Sequence, residues 1–129
     1  MFVEGLYNLL AGDPGLNALV NGRISGLQLQ SDCVPALTYQ IVGGSSDPTF
    51  TTSGLQKVRV QFDAFAASYI AAAQVRDAVR ILLNGYQGAL SDGTFIQNAD
   101  LIQNIDFFEN DARQYRCASE FYFYFTFSS

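Results

Sequence analysis

From Tyr115 to Phe127 the chain alternates between two kinds of side chain over thirteen positions, and no feature restricts the fold more. Successive strand residues point to opposite faces, so Cys117, Phe121, Phe123, Phe125 and Phe127 share one face while Arg116, Glu120, Tyr122, Tyr124 and Thr126 share the other. A row of phenylalanines along one side of a long strand must be core, which demands partner strands and a covering layer. The tyrosine face keeps two readings: it is solvated, or it meets a neighbouring subunit, because Tyr supplies contact area and a polar tip together.

The remaining elements follow from period and punctuation. Ala36 to Val42, after Val34-Pro35, alternates Leu37, Tyr39 and Ile41 against Thr38 and Gln40. Lys57 to Phe65 sets Val58, Val60, Phe62 and Ala64 against Lys57, Arg59, Gln61 and Asp63. Between them, Gly43 to Gly54 is too polar and broken for either element and reads as a long exposed loop. From Ser68, an N-cap, the period turns helical: Ala71, Ala72, Val75, Ala78, Val79, Leu82 and Leu83 form one stripe, ended by Asn84-Gly85. Phe95 to Phe108 reads as one strand or two short ones around Asn98 to Asp100, turning at Glu109-Asn110-Asp111. At the start, Phe2, Leu6, Leu9 and Leu10 mark a short helix, and Asp13-Pro14 opens a second carrying Leu16, Leu19 and Val20. The expected architecture is a single α+β domain over residues 1–129. Its antiparallel or mixed sheet has about four strands packed against one long helix, with short N-terminal helices.

Charged residues make up only 15% of the 129, against ~25% in ordinary globular domains, while aromatics reach 14%. A large core explains this, and so does a surface covered by a partner. A net charge of −5 with Lys57 as the single lysine leaves no basic patch, which excludes tight nucleic-acid binding. Cys33 and Cys117 form no CxxC pair and read as two buried thiols. The early Glu4, the lack of a basic leader and the lack of an apolar run near ~20 residues predict a chain kept in a reducing cytosol, away from membranes.

The absence of histidine removes Ser-His-Asp, Cys-His and His-bearing zinc sites, and no phosphate-cradling glycine motif occurs. No catalytic, metal or cofactor site is expected. The one chemistry left to weigh is a carboxylate pair: Asp106, Glu109 and Asp111 gather at a strand end and turn, and Asp63 lies on the polar face of its strand. With no Trp to wall a sugar groove, these residues read as turn formers and as ion-pair partners of Arg113 and Arg116. Arg23 is either a surface residue or a contact to a partner's carboxylate.

Asp-Pro-Gly-Leu-Asn-Ala-Leu-Val-Asn-Gly-Arg-Ile at 13–24, Val-Pro-Ala-Leu-Thr-Tyr at 34–39, Arg-Val-Gln-Phe-Asp-Ala-Phe at 59–65 and Val-Arg-Asp-Ala-Val-Arg at 75–80 occur in that order. Together they resemble the tail-completion, or tail-terminator, family of long-tailed siphovirus-like bacteriophages and gene transfer agents. The resemblance implies a structural α+β protein without catalysis or cofactor. Copies of it form a hexameric ring at the head-proximal end of the tail tube, stop tube growth and offer a surface to the head-tail connector or stopper. The implied place is the virion, at the head–tail junction, after assembly in the host cytoplasm, with DNA passing through the lumen unbound. On that reading Ser45, Asp47 and Phe50 in the 43–56 loop, and Asp106, Glu109, Asp111 and Arg113 at the turn, reach neighbouring rings. Lys57, Arg59 and Gln61, or Tyr122 and Tyr124, then line subunit contacts. The alternatives are another head-tail connector or tail-tube subunit of the particle, or a non-viral protein-binding module.

Overall fold

The long C-terminal strand forms and sits at the centre of a six-stranded sheet. In the computed structural model, which describes residues 2–26, 35–45, 55–91, 93–109 and 114–127, the elements are α1 (Phe2–Ala11), α2 (Pro14–Val20), β1 (Ile24–Gly26), β2 (Ala36–Ser45), β3 (Leu55–Ala66), α3 (Tyr69–Leu83), β4 (Gly88–Ala89), β5 (Thr94–Glu109) and β6 (Gln114–Phe127). The sheet order is β1-β2-β3-β6-β5-β4. All neighbours are antiparallel except β1 and β2, which run parallel.

Burial follows the alternation. Phe121 and Phe123 are fully enclosed, Phe62 packs edge-on against Phe121 at 5.6 Å between ring centroids, and Val60 and Ala64 extend the same face. The stripe of α3 covers them with Ala72, Val75, Val79 and Leu83, and Leu6, Leu10, Leu16 and Val20 bring α1 and α2 into the same core. α3 begins where its cap predicts: the Ser68 hydroxyl accepts from the Ala71 N–H. The Asp13 carboxylate does the same for the Leu16 N–H ahead of Pro14, and Asn21 at φ 52° turns the chain out of α2. Arg23 is half-buried and bonded within the chain. Its Nε donates to the Pro35 carbonyl at 2.9 Å while its own carbonyl accepts from the Leu37 N–H, tying β1 to the start of β2.

Several expectations need correction. The sheet has six strands where periodicity predicts about four, because β1 and β4 span three and two residues and are too short to show a period. Among the described residues the helical layer counts three helices, with α1 ten residues long beside the fifteen of α3. β2 continues through Gly43–Ser45, inside the expected loop, past a register shift between Ile41 and Gly43. Ile41, partnered with Val60 on the core side, is nonetheless 46% exposed. β5 is one strand, with register shifts between Ile96 and Asn98 and between Leu101 and Gln103, on either side of the segment where sequence leaves a break open. Cys117 is buried and free, whereas Cys33 lies outside the described residues.

Candidate functional site

The strands that bury phenylalanine on one face display a polar face on the other. Lys57, Arg59 and Gln61 of β3 stand opposite Tyr124, Tyr122 and Glu120 of β6, so two sets of residues singled out as alternatives share one patch. The Lys57 ammonium sits 4.1 Å from the Tyr122 ring centroid and 5.7 Å from that of Tyr124, a cation held against two aromatic faces. Arg59 approaches Glu120 at 3.8 Å, and Gln103 of β5 donates to the same carboxylate at 3.2 Å. The Arg59 Nε is buried and has no hydrogen-bond partner among the described residues. Asp63 accepts from Gln61 and pairs with Arg116 at 3.8 Å; the Arg116 guanidinium also lies 4.4 Å from the Phe107 ring centroid.

A second cluster occupies the helix side, at the far end of the β5–β6 hairpin. Asp106 accepts from Tyr69 and forms a 2.7 Å ion pair with Arg76, both from α3. Burial opposes ionisation of Asp106, but hydrogen bonds from Tyr69, Arg76 and Cys117 and the Arg76 charge outweigh it and hold the carboxyl below its ordinary value. Burial, with the neighbouring Asp106 charge, pushes the Cys117 thiol up to about 11. This thiol is thus a protonated donor, the opposite of an activated nucleophile. Tyr69, Tyr115 and Phe108 stack beside the cluster, with centroids 5.9 Å and 4.9 Å apart in turn.

Arg116 pairs with Asp63, within the ion pairing read from sequence, whereas Asp106 takes Arg76 of the helix as its partner. The strand register separates the carboxylates. Asp63 is opposite Ala118 and Asp106 is opposite Cys117. Adjacent strand residues point to opposite faces, so the two acids lie on opposite sides of the sheet and cannot act as a pair. Glu109 ends β5 opposite Gln114, and Ser45 ends β2 opposite Lys57. Asp47, Phe50, Asp111 and Arg113 lie outside the described residues.

Sequence reasoning passes over Tyr69 and Arg76, whose partners are 37 and 30 residues away. It also passes over the far half of β5, where Ile102, Ile105, Phe107 and Phe108 are each 39–49% exposed. For the last two a signal exists: consecutive phenylalanines in a strand put one ring on each face, so one of them must leave the core. Among the described residues no helix is long and apolar enough to cross a membrane.

The family model described as "Tail completion protein gp17" matches residues 4–126. Among solved structures, a chain of the "Virion of native gene transfer agent (GTA) particle" superposes with a TM-score of 0.73 at 18% identity, covering 94% of this chain and 91% of that one. That likeness is one of fold. No curated protein sequence matches.

Proposed function

The chain belongs to the tail completion protein gp17 family, a phage tail structural family of the virion, and from that premise we propose that it is the tail terminator of its particle. Copies form a ring, six in number as the resemblance implies, on the head-proximal end of the tail tube. The ring stops tube growth and presents the surface that the head connector or stopper meets. The family match along nearly the whole chain carries this reading.

The polar sheet face supports it. Lys57, Arg59, Gln61, Tyr122 and Tyr124 form a patch on the face of the sheet away from the described helices, where two tyrosines and an arginine are residue types enriched in interface cores. This patch contributes to contacts between copies or with the adjoining ring. The acidic balance of −5 suits a lumen through which DNA slides without sticking. The family supports a structural function, and the sheet places Asp63 and Asp106, two of the carboxylates weighed above, on opposite sides. Electron microscopy of particles made with this gene deleted tests the reading. Overlong tails, or tails that fail to join heads, are expected; normal joined tails would overturn it.

A further inference from the structure

The groove beside α1 gathers acceptors with nothing to accept from. Glu4, Tyr7 and Asn8 fall at i, i+3 and i+4 and so share one side of that helix. With Tyr39 of β2 they line an open cleft of about 410 Å³. The Tyr7 and Tyr39 rings stand 6.5 Å apart, tilted by 42°. Tyr39 is only 8% exposed, and its ring lies over Gly26 of β1, where an added Cβ would sit 3.7 Å from the ring and its hydroxyl. That hydroxyl makes no hydrogen bond among the described residues, although a buried polar group ordinarily has a partner. Asn8 Nδ2 donates to Ser91 Oγ at 2.8 Å, which leaves its amide oxygen as a free acceptor. Glu4 is exposed and makes no ion pair among the described residues.

A carboxylate, an amide oxygen and two phenol oxygens around two ring faces, with no cation among the lining residues, are the complement of a guanidinium. That group is a flat cation that stacks on aromatic faces and carries five N–H donors, enough for every acceptor in the cleft. The chain itself carries a loosely held one. Arg23, Arg76 and Arg116 are engaged by Pro35, Asp106 and Asp63, Lys57 lies on the Tyr122 ring, and Arg59 leans on Glu120 with its Nε buried. Arg80 of α3 has only Asp77 at 4.0 Å, its side chain is 45% exposed, and its guanidinium makes no hydrogen bond among the described residues. Beside it Ile81 is 74% exposed, more than any other large hydrophobic side chain among the described residues. An arginine next to bare apolar surface has the makeup of an interface anchor.

We infer that in the assembled ring Arg80 of each copy enters the cleft formed by Glu4, Tyr7, Asn8 and Tyr39 of the next. The occupant is a second copy because one chain carries both halves of the contact, an unpaired acid in a cleft on α1 and a loosely held arginine on α3. Two different patches repeated about an axis are what a closed ring requires. This rests on the ring reading above and supplies a subunit contact for it.

Full-length chains carrying Glu4→Arg, Arg80→Glu or both are supplied to particles made without the gene, and the yield of joined particles is measured against wild type. Each single variant sets like charges together at every junction of the ring and should lower that yield about tenfold, while the double variant, with the pair reversed, should return it to within about threefold of wild type. Both side chains are exposed, so the purified variants should keep the circular dichroism and melting temperature of the wild-type chain. Single variants that join normally, or a double variant no better than the singles, overturn the contact, and wild-type particles that hold the subunit at the head–tail junction leave the terminator reading standing. Loss with Glu4→Arg but not with Arg80→Glu assigns the cleft to another protein's arginine and overturns the second copy as its occupant. Tyr39→Phe serves where a charge variant fails to fold: it removes one unpartnered hydroxyl and should lower joining about threefold at an unchanged melting temperature. Normal joining by that variant overturns the contact as well. Wild-type particles that lack the subunit at the junction overturn both readings.

Discussion

β3 and β6 are hydrogen-bonded along their length, and the two faces of that one ribbon differ more than any two elements of the chain. On the helix side Val60, Phe62, Phe121 and Phe123 are at most 1% exposed and interlock ring on ring. On the other side Lys57, Arg59, Tyr122 and Tyr124 are half-buried, and Arg59 reaches its acid only at 3.8 Å. The first face is closed: every atom has a neighbour inside the chain. The second is open, with groups ordered enough to be shaped and loose enough to take new partners. Stability belongs to the first and assembly to the second, and substitutions on each should separate the two.

The largest effect is expected where the closed face is opened. Phe121→Ala removes a fully buried ring that touches both Phe62 and Phe123, and should cost about 3–5 kcal/mol in urea unfolding. A cost below about 1 kcal/mol would mean that the sheet collapses around the gap and that the contrast between the faces is not one of packing.

The Asp106 cluster is intermediate, since it fastens the exposed far half of β5 to α3. Asp106→Asn leaves the half-buried Arg76 without its charge partner and should cost about 1–2 kcal/mol near neutral pH. The sign with pH is fixed by direction. Because the folded Asp106 carboxyl titrates below its ordinary 3.8, its contribution is fully present above that pH and is lost as pH falls through the folded value. Cys117 acts at the other end: the folded thiol at about 11 against an ordinary 9.0 gives a contribution present below about 9 and lost as pH rises toward 11. Thermal melts of wild type and Asp106→Asn should therefore converge at acid pH. Curves that stay parallel below pH 4 would remove the carboxylate from the account.

Ser68→Ala tests the roof over the closed face. Its hydroxyl accepts from the Ala71 N–H at the first turn of α3, and loss of an N-cap costs about 1 kcal/mol. Helix α3 was also the most legible element in sequence, because cap, stripe and Asn-Gly stop are local signals that tertiary structure had no reason to override. The Phe face of β6 was legible for a similar reason: so many rings at period two have only one place to go. What could not be read was non-local. Arg76 sits on the polar side of the α3 stripe like Arg80, and nothing near it in the chain says that Asp106, thirty residues on, will take it in. Ile102 and Ile105 look like core in a strand pattern, but Ile102 falls inside a register shift and Ile105 shares a rung with Ala118 and Asp63, on the face of the sheet away from the helices. β1 and β4 are strands by virtue of what they pair with, not of what they contain.

The smallest effect on stability should come from the open face, and it makes the sharpest use of the comparison. Arg59 is 41% exposed in its side chain, its Nε makes no hydrogen bond among the described residues, and its ion pair is long. An exposed pair of that kind contributes little, so Arg59→Glu should shift unfolding by only about 0.5 kcal/mol. The same substitution puts a second carboxylate beside Glu120 and reverses the charge that the patch presents to any partner. If the open face is kept for assembly, the variant should fold and melt like wild type and yet fail to enter particles, as read by its abundance in purified virions. A variant that enters particles normally would strip the polar face of its proposed contact role. A variant that melts far below wild type would instead show that Arg59 belongs to the closed part of the molecule despite its exposure, with its buried Nε bonded to ordered water.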